Sequence, residues 1–267
     1  MAREYKDLPL DEVMRRYASR DHDPFMFEVH LARYRFAATY LTPDSQVLDI
    51  GCAYGFGAEL LAGIARDVTG IDTQAEAVAC AREHHAAPNL SYEVRDALDY
   101  GCAPESLDVI TAFEVIEHLE DPGQLIARCV TWLKPGGRLI LSTPNKLVHL
   151  LMGVEWEFHE REYGFSELRG LLRGYFEEED IEILGQNAHM IQHFRGKRGR
   201  FTPYATPLRK FVWATVPQPA IRTLRKVFPK KPATAAADDP TLGEAVAIGP
   251  HNVDLADTFI AVGRRGK

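Results

Sequence analysis

Residues 47–57 decide the fold of this chain, and their sequence is Val47-Leu48-Asp49-Ile50-Gly51-Cys52-Ala53-Tyr54-Gly55-Phe56-Gly57. A short apolar run ends in an acid, three glycines follow, and a helical pattern begins at Ala58. This order predicts a strand, a tight turn and a helix. Such a unit lets the backbone come close to a nucleotide-like ligand, because glycine tolerates backbone angles that other residues avoid.

The spacing of the glycines separates two classes of ligand. The pattern here is G-x-x-x-G-x-G, whereas the dinucleotide fingerprint is G-x-G-x-x-G, so a nicotinamide dehydrogenase is disfavoured. A pyrophosphate at a helix N-terminus needs neutral or positive surroundings, and Asp49 would repel it. A ligand with a cationic amino group beside an adenosine would be attracted instead, and S-adenosylmethionine is such a ligand.

Length and composition indicate a soluble globular protein. The chain has 267 residues, of which 46% are hydrophobic and 26% charged, which suits one large domain with an insertion. Its N-terminus lacks the apolar core of a signal peptide, and no apolar run is long enough for a membrane span. We therefore expect a cytoplasmic protein whose four cysteines are reduced. The net charge of -7 argues against nucleic-acid binding.

Two further acids follow predicted strands. Asp72 ends a short apolar segment roughly twenty residues after the glycine turn, where a carboxylate can accept both hydroxyls of a ribose. An acid in this position can also be a helix N-cap. Asp96 follows an alternating segment that begins at Leu90, and the continuous apolar run 107–113 is typical of a buried parallel strand.

Three segments carry a resemblance to a known family. The turn at 49–57 resembles motif I of the class I S-adenosylmethionine-dependent methyltransferases, with Ala53 at the position of the middle glycine. Residues 113–122, Phe-Glu-Val-Ile-Glu-His-Leu-Glu-Asp-Pro, resemble a segment of the group that includes ubiquinone-pathway O-methyltransferases and bacterial polysaccharide methyltransferases. Residues 155–168 are similar to a segment of sugar-directed methyltransferases, although Trp156-Glu157 replaces its leading Asn-Pro.

This resemblance implies a Rossmann-like, three-layer α/β sandwich. Its sheet should have seven mostly parallel strands, the last of them antiparallel, and a substrate-side insertion. The implied organisation is an N-terminal helical lid at 1–45, a methyltransferase core at 46–186, a basic and aromatic insertion at 187–250, and a closing strand and tail at 251–267.

The resemblance also implies where S-adenosylmethionine binds. The amino-acid end should lie at Asp49 and the glycine turn, the ribose at Asp72 and the adenine at Asp96. The complete set of expected cofactor residues is Asp49, Gly51, Cys52, Ala53, Gly55, Asp72, Thr73, Asp96, Ala97, Phe113 and Glu114.

Methyl transfer to a hydroxyl requires loss of a proton, and a positioned base typically accelerates such a step by about 10²–10⁴. Histidine is the natural base near neutral pH. His118 follows the fourth strand and His159 follows the fifth, so each is a candidate base, although either can instead hold a loop in place. The remaining histidines without contextual support are expected at the surface: His22, His84, His85 and His149.

Two acids accompany the candidate bases. Glu117 and Glu162 can orient the histidines, or can join them as oxygen ligands of a divalent ion. The spacing has no strong metal signature, so no metal site is predicted.

The expected acceptor is a hydroxyl of a sugar or polysaccharide, including phosphorylated and lipid-linked forms. The alternatives are an O-methyltransferase for a quinone precursor or a secondary-metabolite phenol, and a non-catalytic cofactor-binding module in glycan assembly, which would form no S-adenosylhomocysteine. We expect Arg33, Tyr34, Arg161 and Arg195 to contact the acceptor.

The predicted insertion has an unusual charge. Residues 187–237 contain no Asp or Glu but carry these basic side chains: Arg195, Lys197, Arg198, Arg200, Arg209, Lys210, Arg222, Arg225, Lys226, Lys230 and Lys231. An anionic acceptor would be attracted there, and so would an anionic membrane surface, through residues 195–230. The alternative is a solvated basic face.

Overall fold

The computed structural model describes residues 24–152, 159–186, 248–250, 253 and 256–266. The helices are α1 Pro24–Ala38, α2 Phe56–Ala62, α3 Ala75–His84, α4 Pro122–Trp132, α5 Lys146–Met152 and α6 Phe165–Leu172. The strands are β1 Gln46–Ile50, β2 Asp67–Asp72, β3 Leu90–Val94, β4 Leu107–Phe113, β5 Leu133–Pro144, β6 Ile181–Gln186, β7 Ile248–Gly249 and β8 Thr258–Arg264. Short 3-10 turns occur at Ile116–His118 and Glu178–Asp180.

The strands form one sheet in the order β3-β2-β1-β4-β5-β8-β6-β7. The pairs among β1 to β5 are parallel, whereas β8 is antiparallel to both of its neighbours. The predicted α/β fold with an antiparallel last strand is therefore confirmed. The strand order reverses between β1 and β4, and in open α/β sheets the carboxyl ends of the strands at such a point hold the ligand.

The predicted strand count was wrong by one, since the described residues contain eight strands. The additional strand is β7, which has two residues and pairs antiparallel with the end of β6. A strand of two residues is too short to show an alternating pattern in the sequence. It forms because its backbone pairs with that of β6.

Helices cover both faces of the sheet and create two apolar cores. Side chains of α4 and α6 pack on one face, and side chains of α1, α2 and α3 pack on the other. In β4 the side chains alternate between the cores, with Val109 in one and Ile110 in the other. Because both faces are covered, β4 is a continuous apolar run rather than an alternating one.

Helix α1 is held against the sheet by Arg33, whose side chain is buried. Its Nε donates to Gln186 Oε1 at 2.8 Å, and its other nitrogens reach Glu114 Oε1 at 3.1 Å and Thr258 Oγ1 at 3.3 Å. These partners lie in β6, after β4 and in β8. Burial and the positive charge of Arg33 lower the pKa of His30 to about 3, so its ring is neutral and lies 3.3 Å from the guanidinium.

Two helices differ from the expected ones: α1 begins earlier, at a proline, and α5 begins after an asparagine. The sequence predicts a helix from Glu28 to Tyr40, whereas α1 starts at Pro24, since proline is accommodated in the first turn of a helix. Helix α5 was not predicted. Asn145 begins it by accepting a hydrogen bond from the Leu147 backbone at 3.0 Å.

Parts of two predicted segments lie outside the described residues. These are residues 1–23 of the expected lid and residues 187–247 of the expected basic insertion. Both assignments stay predictions.

Replacing Arg33 by Met should destabilise the fold strongly, because Glu114 would lose its counter-charge in a partly buried site. Breaking a buried ion pair costs about 3–5 kcal/mol. Arg35→Met is the matched control on the same helix, since Arg35 is exposed and pairs only at the surface with Glu28, among the described contacts. It should change the free energy of unfolding by at most about 1 kcal/mol. Urea unfolding of both variants measures the difference, and equal effects would contradict the role given to Arg33.

Candidate active site

The candidate site lies along the edge where β1 to β5 end. The glycine turn follows β1, Asp72 ends β2, Asp96 follows β3 and Glu114 follows β4. Parallel pairing carries these positions to the same edge because the strands are in register, with Asp49 opposite both Gly70 and Thr111. The acids that the sequence separates by about twenty residues are therefore neighbours in the fold.

The turn itself has a demanding backbone. Gly55 has a φ of 89°, and a Cβ there would lie 2.6 Å from Ala81 Cβ and 2.7 Å from Tyr92 Oη. Only glycine meets both the conformation and the space at this point. Gly57 is required for a different reason, since its Cβ would lie 2.0 Å from Tyr34 Cζ. The last glycine of the pattern thus lets α1 pack directly on α2.

Ala53 occupies the middle position of the glycine pattern and has a φ of 45°. An alanine in this left-handed region is strained by about 1–2 kcal/mol. Its backbone N–H donates to Asp72 Oδ2 at 2.9 Å, and Asp72 Oδ1 accepts from the Gln74 backbone at 2.9 Å. The Asp72 carboxylate therefore connects the turn after β1 to the start of α3. Each oxygen keeps a further lone pair that can accept a ribose hydroxyl.

Asp49 is completely buried beneath the turn. Its Oδ1 accepts from Thr111 Oγ1 at 2.6 Å, and its Oδ2 accepts from the Tyr34 hydroxyl at 3.2 Å. Burial raises the pKa of Asp49 to about 7, and the two hydrogen bonds moderate this effect. A cation close by would favour the ionised carboxylate. The expected contact of Asp49 with the amino group of the cofactor stays a prediction, because Tyr34 covers the carboxylate in this structure.

The other expected cofactor residues lie around the same edge. Thr73 and Asp96 are exposed, Ala97 is half-buried, and Phe113 is buried. Asp96 Oδ1 accepts from the Leu98 backbone at 2.8 Å, which fixes a turn after β3. The Phe113 ring packs edge-on against Tyr34, with the ring centroids 4.9 Å apart.

Glu114 has a strained backbone, and one of its carboxylate oxygens binds two protein groups. Its φ is 55°, its Oε1 accepts from Ser142 Oγ at 2.7 Å, and the same oxygen pairs with Arg33 at 3.1 Å. Burial opposes ionisation, but the charge of Arg33 and the hydrogen bond from Ser142, with contributions from His30 and His149, together lower the pKa of Glu114. Glu114 therefore connects the end of β4 to α1 and to β5.

The two candidate bases lie side by side. The His118 ring meets the His159 ring edge-on, with centroids 5.0 Å apart. His118 belongs to the 3-10 turn after β4, and His159 lies after β5 and before α6. His159 Nδ1 lies 3.2 Å from Glu162 Oε1, which fixes the orientation of its ring. The structure therefore brings together two histidines that are 41 positions apart in the chain (159 − 118).

His149 is a correction to the sequence analysis, which predicted a surface residue. Its side chain is buried, 9% exposed, and its Nδ1 lies 2.6 Å from Glu162 Oε1. The ring also stacks on His159 with centroids 6.3 Å apart. Helix α5, begun by Asn145, places His149 there, so the N-cap asparagine was the signal that could have found it. His84 is exposed, His85 pairs with Glu59, and His22 lies outside the described residues.

The two acids of this histidine cluster have opposite environments. Burial would raise the pKa of Glu162, but hydrogen bonds from His149 and His159 outweigh it and lower the pKa to about 2. Glu117 is fully buried. Neither carboxylate oxygen has a partner of good hydrogen-bond geometry among the described residues, but the Thr143 hydroxyl is close enough to moderate the effect of burial on its pKa. Burial, reinforced by the negative charge of Glu114, raises the pKa of Glu117 well above its ordinary value.

The residues expected to bind the acceptor have different placements. Arg161 is exposed beside the cluster; its backbone N–H donates to the Glu117 carbonyl at 3.1 Å. Arg33 and Tyr34 are buried and bonded to protein groups, so their contacts here serve the fold. Arg195 lies outside the described residues. The acceptor-binding role of all four stays a prediction.

The edge fits S-adenosylmethionine by its chemistry. It offers carboxylates at three strand ends, and carboxylates attract an ammonium group and accept hydrogen bonds from ribose hydroxyls. A pyrophosphate would be repelled by the same set. The tight glycine turn and the left-handed Ala53 bring backbone groups, not side chains, to the surface of the site.

Comparison with known proteins agrees with this chemistry. Residues 48–141 match a family model described as a methyltransferase domain. That range runs from β1 to β5 and contains the glycine turn, Asp72, Asp96 and His118. The glycine turn and the acids around it therefore lie in a stretch that is similar to a methyltransferase domain.

Particular relatives support the same conclusion. The chain is 37% identical over 125 residues to a ubiquinone biosynthesis O-methyltransferase of Thiobacillus denitrificans, an alignment that covers 45% of this chain and 54% of the relative. The chain thus spans about half the length of that curated relative. Among solved structures, it is similar to the N-methyltransferase NodS of Bradyrhizobium japonicum in complex with S-adenosylhomocysteine, with 26% identity and a TM-score of 0.51 over 66% of this chain and 88% of NodS. In fold alone, it also resembles the plantazolicin methyltransferase BpumL in complex with S-adenosylhomocysteine, with 18% identity and a TM-score of 0.57 over 100% of this chain and 93% of BpumL.

Asp72→Ala should weaken binding of S-adenosylhomocysteine by roughly ten- to a hundredfold. The substitution removes an ionised hydrogen-bond acceptor, worth about 1.5–3 kcal/mol, and releases the Ala53 and Gln74 backbones. Calorimetric titration measures the change. Asp67→Ala, at the exposed start of the same strand, is the control and should bind like the wild type. Equal affinity for all three proteins would refute the ribose assignment.

Glu162 should make stability depend on acid pH. Because its pKa in the folded state is about 2, below the ordinary value of about 4.3, its contribution is present above pH 4.3 and is lost as the pH falls toward 2. Glu162→Gln should therefore be less stable than wild type at pH 6, and this difference should shrink on acidification. Denaturant unfolding from pH 6 to pH 3 measures it, with exposed Glu160→Gln as the control. A constant difference across this range would contradict the expected linkage.

Proposed function

We propose that the protein is an S-adenosylmethionine-dependent O-methyltransferase whose acceptor hydroxyl binds at the cluster of His118, His159, His149, Glu117 and Glu162. The observation that carries this proposal is the contact between the rings of His118 and His159. His118 belongs to the 3-10 turn that follows Glu114, one of the expected cofactor residues, in the chain. A hydroxyl acceptor has to lose its proton to a base during the transfer, and the cluster offers titratable side chains for this step. A basic nitrogen acceptor reacts through its lone pair and has less need of such groups.

In this proposal one group of residues binds the cofactor and another assists proton transfer. Asp72 and the glycine turn would hold S-adenosylmethionine, which supplies a methyl group bound to a good leaving group. Correct alignment of an acceptor with that methyl can contribute about 7–11 kcal/mol to lowering the barrier. The acceptor O–H bond breaks as its oxygen bonds to the methyl carbon, and the histidine cluster assists departure of the proton. Glu162 interacts with His159 through Nδ1, and we assign the transfer of the proton to Nε2.

A sugar or polysaccharide hydroxyl is the acceptor class we propose first. It is supported by the likeness of residues 155–168 to sugar-directed methyltransferases and by exposed Arg161 at the cluster, which suits a phosphorylated or otherwise anionic glycan. The basic residues 195–230 would extend that attraction, or would contact an anionic membrane surface. Within the described parts of the chain, no helix combines the length and apolarity of a membrane span.

A phenolic acceptor is the second candidate, and a separate observation favours it. The relative from Thiobacillus denitrificans is named a ubiquinone biosynthesis O-methyltransferase, and the alignment with it covers 45% of this chain. Measuring S-adenosylhomocysteine release with sugars, phosphosugars and catechols separates the candidates. Release with none of them, despite tight cofactor binding, would favour the non-catalytic module.

His118→Ala and His159→Ala should each lower turnover while leaving S-adenosylhomocysteine affinity nearly unchanged. The expected loss is about two to four orders of magnitude for the residue that removes or directs the proton. His84→Ala is the matched control, because His84 is exposed on α3. Turnover is measured with the best acceptor of the screen and affinity by calorimetry. Wild-type turnover in both cluster variants would refute their role in the reaction.

A further inference from the structure

The side chain of Tyr92 reaches the glycine turn from two strands away. Tyr92 lies on β3, opposite Gly70 of β2 in the parallel register. Its hydroxyl lies 3.0 Å from the carbonyl oxygen of Gly55, in the turn that follows β1. Because the strands are ordered β3-β2-β1, the ring has to cross β2 to make this contact.

Gly70 is the residue that allows the ring to cross. A Cβ at Gly70 would lie 2.8 Å from Tyr92 Cδ1 and 3.0 Å from Cys52 Cβ, which is closer than such atoms approach each other. Glycine inside a strand weakens it and often marks a place where another group comes close to the backbone. The glycine in the middle of β2 is therefore explained by the path of the Tyr92 ring.

The Tyr92 hydroxyl is a hydrogen-bond donor to two carbonyl groups. Besides Gly55, it lies 3.0 Å from the carbonyl oxygen of His85, at the C-terminal end of α3. The side chain is buried, and burial raises the pKa of the phenol, so the hydroxyl keeps its proton. A phenol has one proton, which the two carbonyls share. Tyr92 thereby connects the glycine turn to α3.

The turn is fixed at two points by side chains from neighbouring strands. Asp72, at the end of β2, accepts from the backbone N–H of Ala53, and Tyr92, on β3, donates to the carbonyl of Gly55. Both Ala53 and Gly55 have a positive φ. Tyr92 is itself held in place, because Arg82 Nε and Nη2 donate to its carbonyl oxygen at 3.1 and 2.6 Å.

We propose that Tyr92 is a positioning residue for the methyl donor: its hydroxyl holds Gly55 in the left-handed conformation that shapes the turn for S-adenosylmethionine. Tyr92 acts through the turn and not by contact with the donor. A phenylalanine would fill the same space in the core, so packing alone does not account for the two carbonyl contacts. This inference rests on the proposed function in one respect, since the ligand of the turn is taken to be S-adenosylmethionine.

Tyr92→Phe tests the hydroxyl while keeping the ring. Calorimetric titration of the full chain with S-adenosylhomocysteine should show affinity weakened by roughly two- to tenfold, the range expected for one neutral hydrogen bond. Tyr40→Phe is the matched control and should bind like the wild type, because the described contacts of Tyr40, with Phe36 and Arg138, are made by its ring. Replacing Tyr92 by para-aminophenylalanine restores a donor at the same place and should recover most of the affinity.

Hydrogen exchange of the ligand-free chain reports on the turn directly. The N–H of Gly55 donates to Cys52 and the N–H of Glu59 donates to Gly55, both at 3.0 Å. In Tyr92→Phe these two amides should exchange faster than in the wild type, whereas the amides of β4 should keep their wild-type rates. A change confined to the turn distinguishes local loosening from loss of global stability, which would accelerate exchange throughout the sheet.

The outcomes separate this inference from the proposed function. Wild-type affinity in Tyr92→Phe would overturn the positioning role, and so would unchanged exchange at Gly55 and Glu59. A loss of affinity that para-aminophenylalanine does not recover would assign the effect to packing and would also overturn it. Wild type that binds no S-adenosylhomocysteine would refute the proposed function, and with it the ligand given to the turn. The exchange rates would still decide whether Tyr92 holds Gly55.

Discussion

The buried guanidinium of Arg33 is the interaction on which the arrangement of the site depends. It joins α1 to β6, to β8 and to the residue after β4, which are three separate parts of the sheet. With Arg33 fixed, the next residue, Tyr34, is carried over the glycine turn, where its hydroxyl reaches Asp49 and its ring fills the space left by Gly57. A charge buried this deeply is tolerated only because Glu114 balances it. The same pair therefore fixes both the helix that covers the turn and the residue that follows β4.

The acids along this edge of the sheet were predictable from sequence because each is recognised from the residues next to it in the chain. Each of Asp49, Asp72 and Asp96 stands at or just after the end of an apolar segment, and parallel pairing brings such ends together without further information. The left-handed Ala53 was also within reach, since a glycine pattern with one substitution indicates which residue has to adopt the unusual φ. The hydrogen bonds by which Asp72 connects two loops were not predictable from sequence. Their donors are the backbone N–H groups of Ala53 and Gln74, which every residue except proline has.

The histidine cluster was only partly predictable, and the reason is distance along the chain. His118 and His159 were identified from their surroundings in sequence, but their contact depends on how the segment before α6 returns to the end of β4. His149 was missed because α5 is only seven residues long and its pattern is too short to indicate a buried face. The burial of Glu117 could not be inferred from its sequence, since it depends on all the segments that surround the side chain in the fold.

Several locally unfavourable features lie at this edge of the sheet. Their position indicates that they serve the binding site and not only the fold. Ala53 and Glu114 have a positive φ without being glycine; among the described residues the third such position, Glu105, lies before the start of β4. Glu117, close to Glu114 in the chain, is a fully buried carboxyl. Each feature costs stability, and Ala53 and Glu114 are both among the residues expected to bind the methyl donor. Strain of this kind persists where the surrounding structure enforces it, and it concentrates at sites that bind or react. The well-packed cores on both faces of the sheet provide the stability that offsets these costs, so the edge can be shaped by its ligands instead of by its own packing.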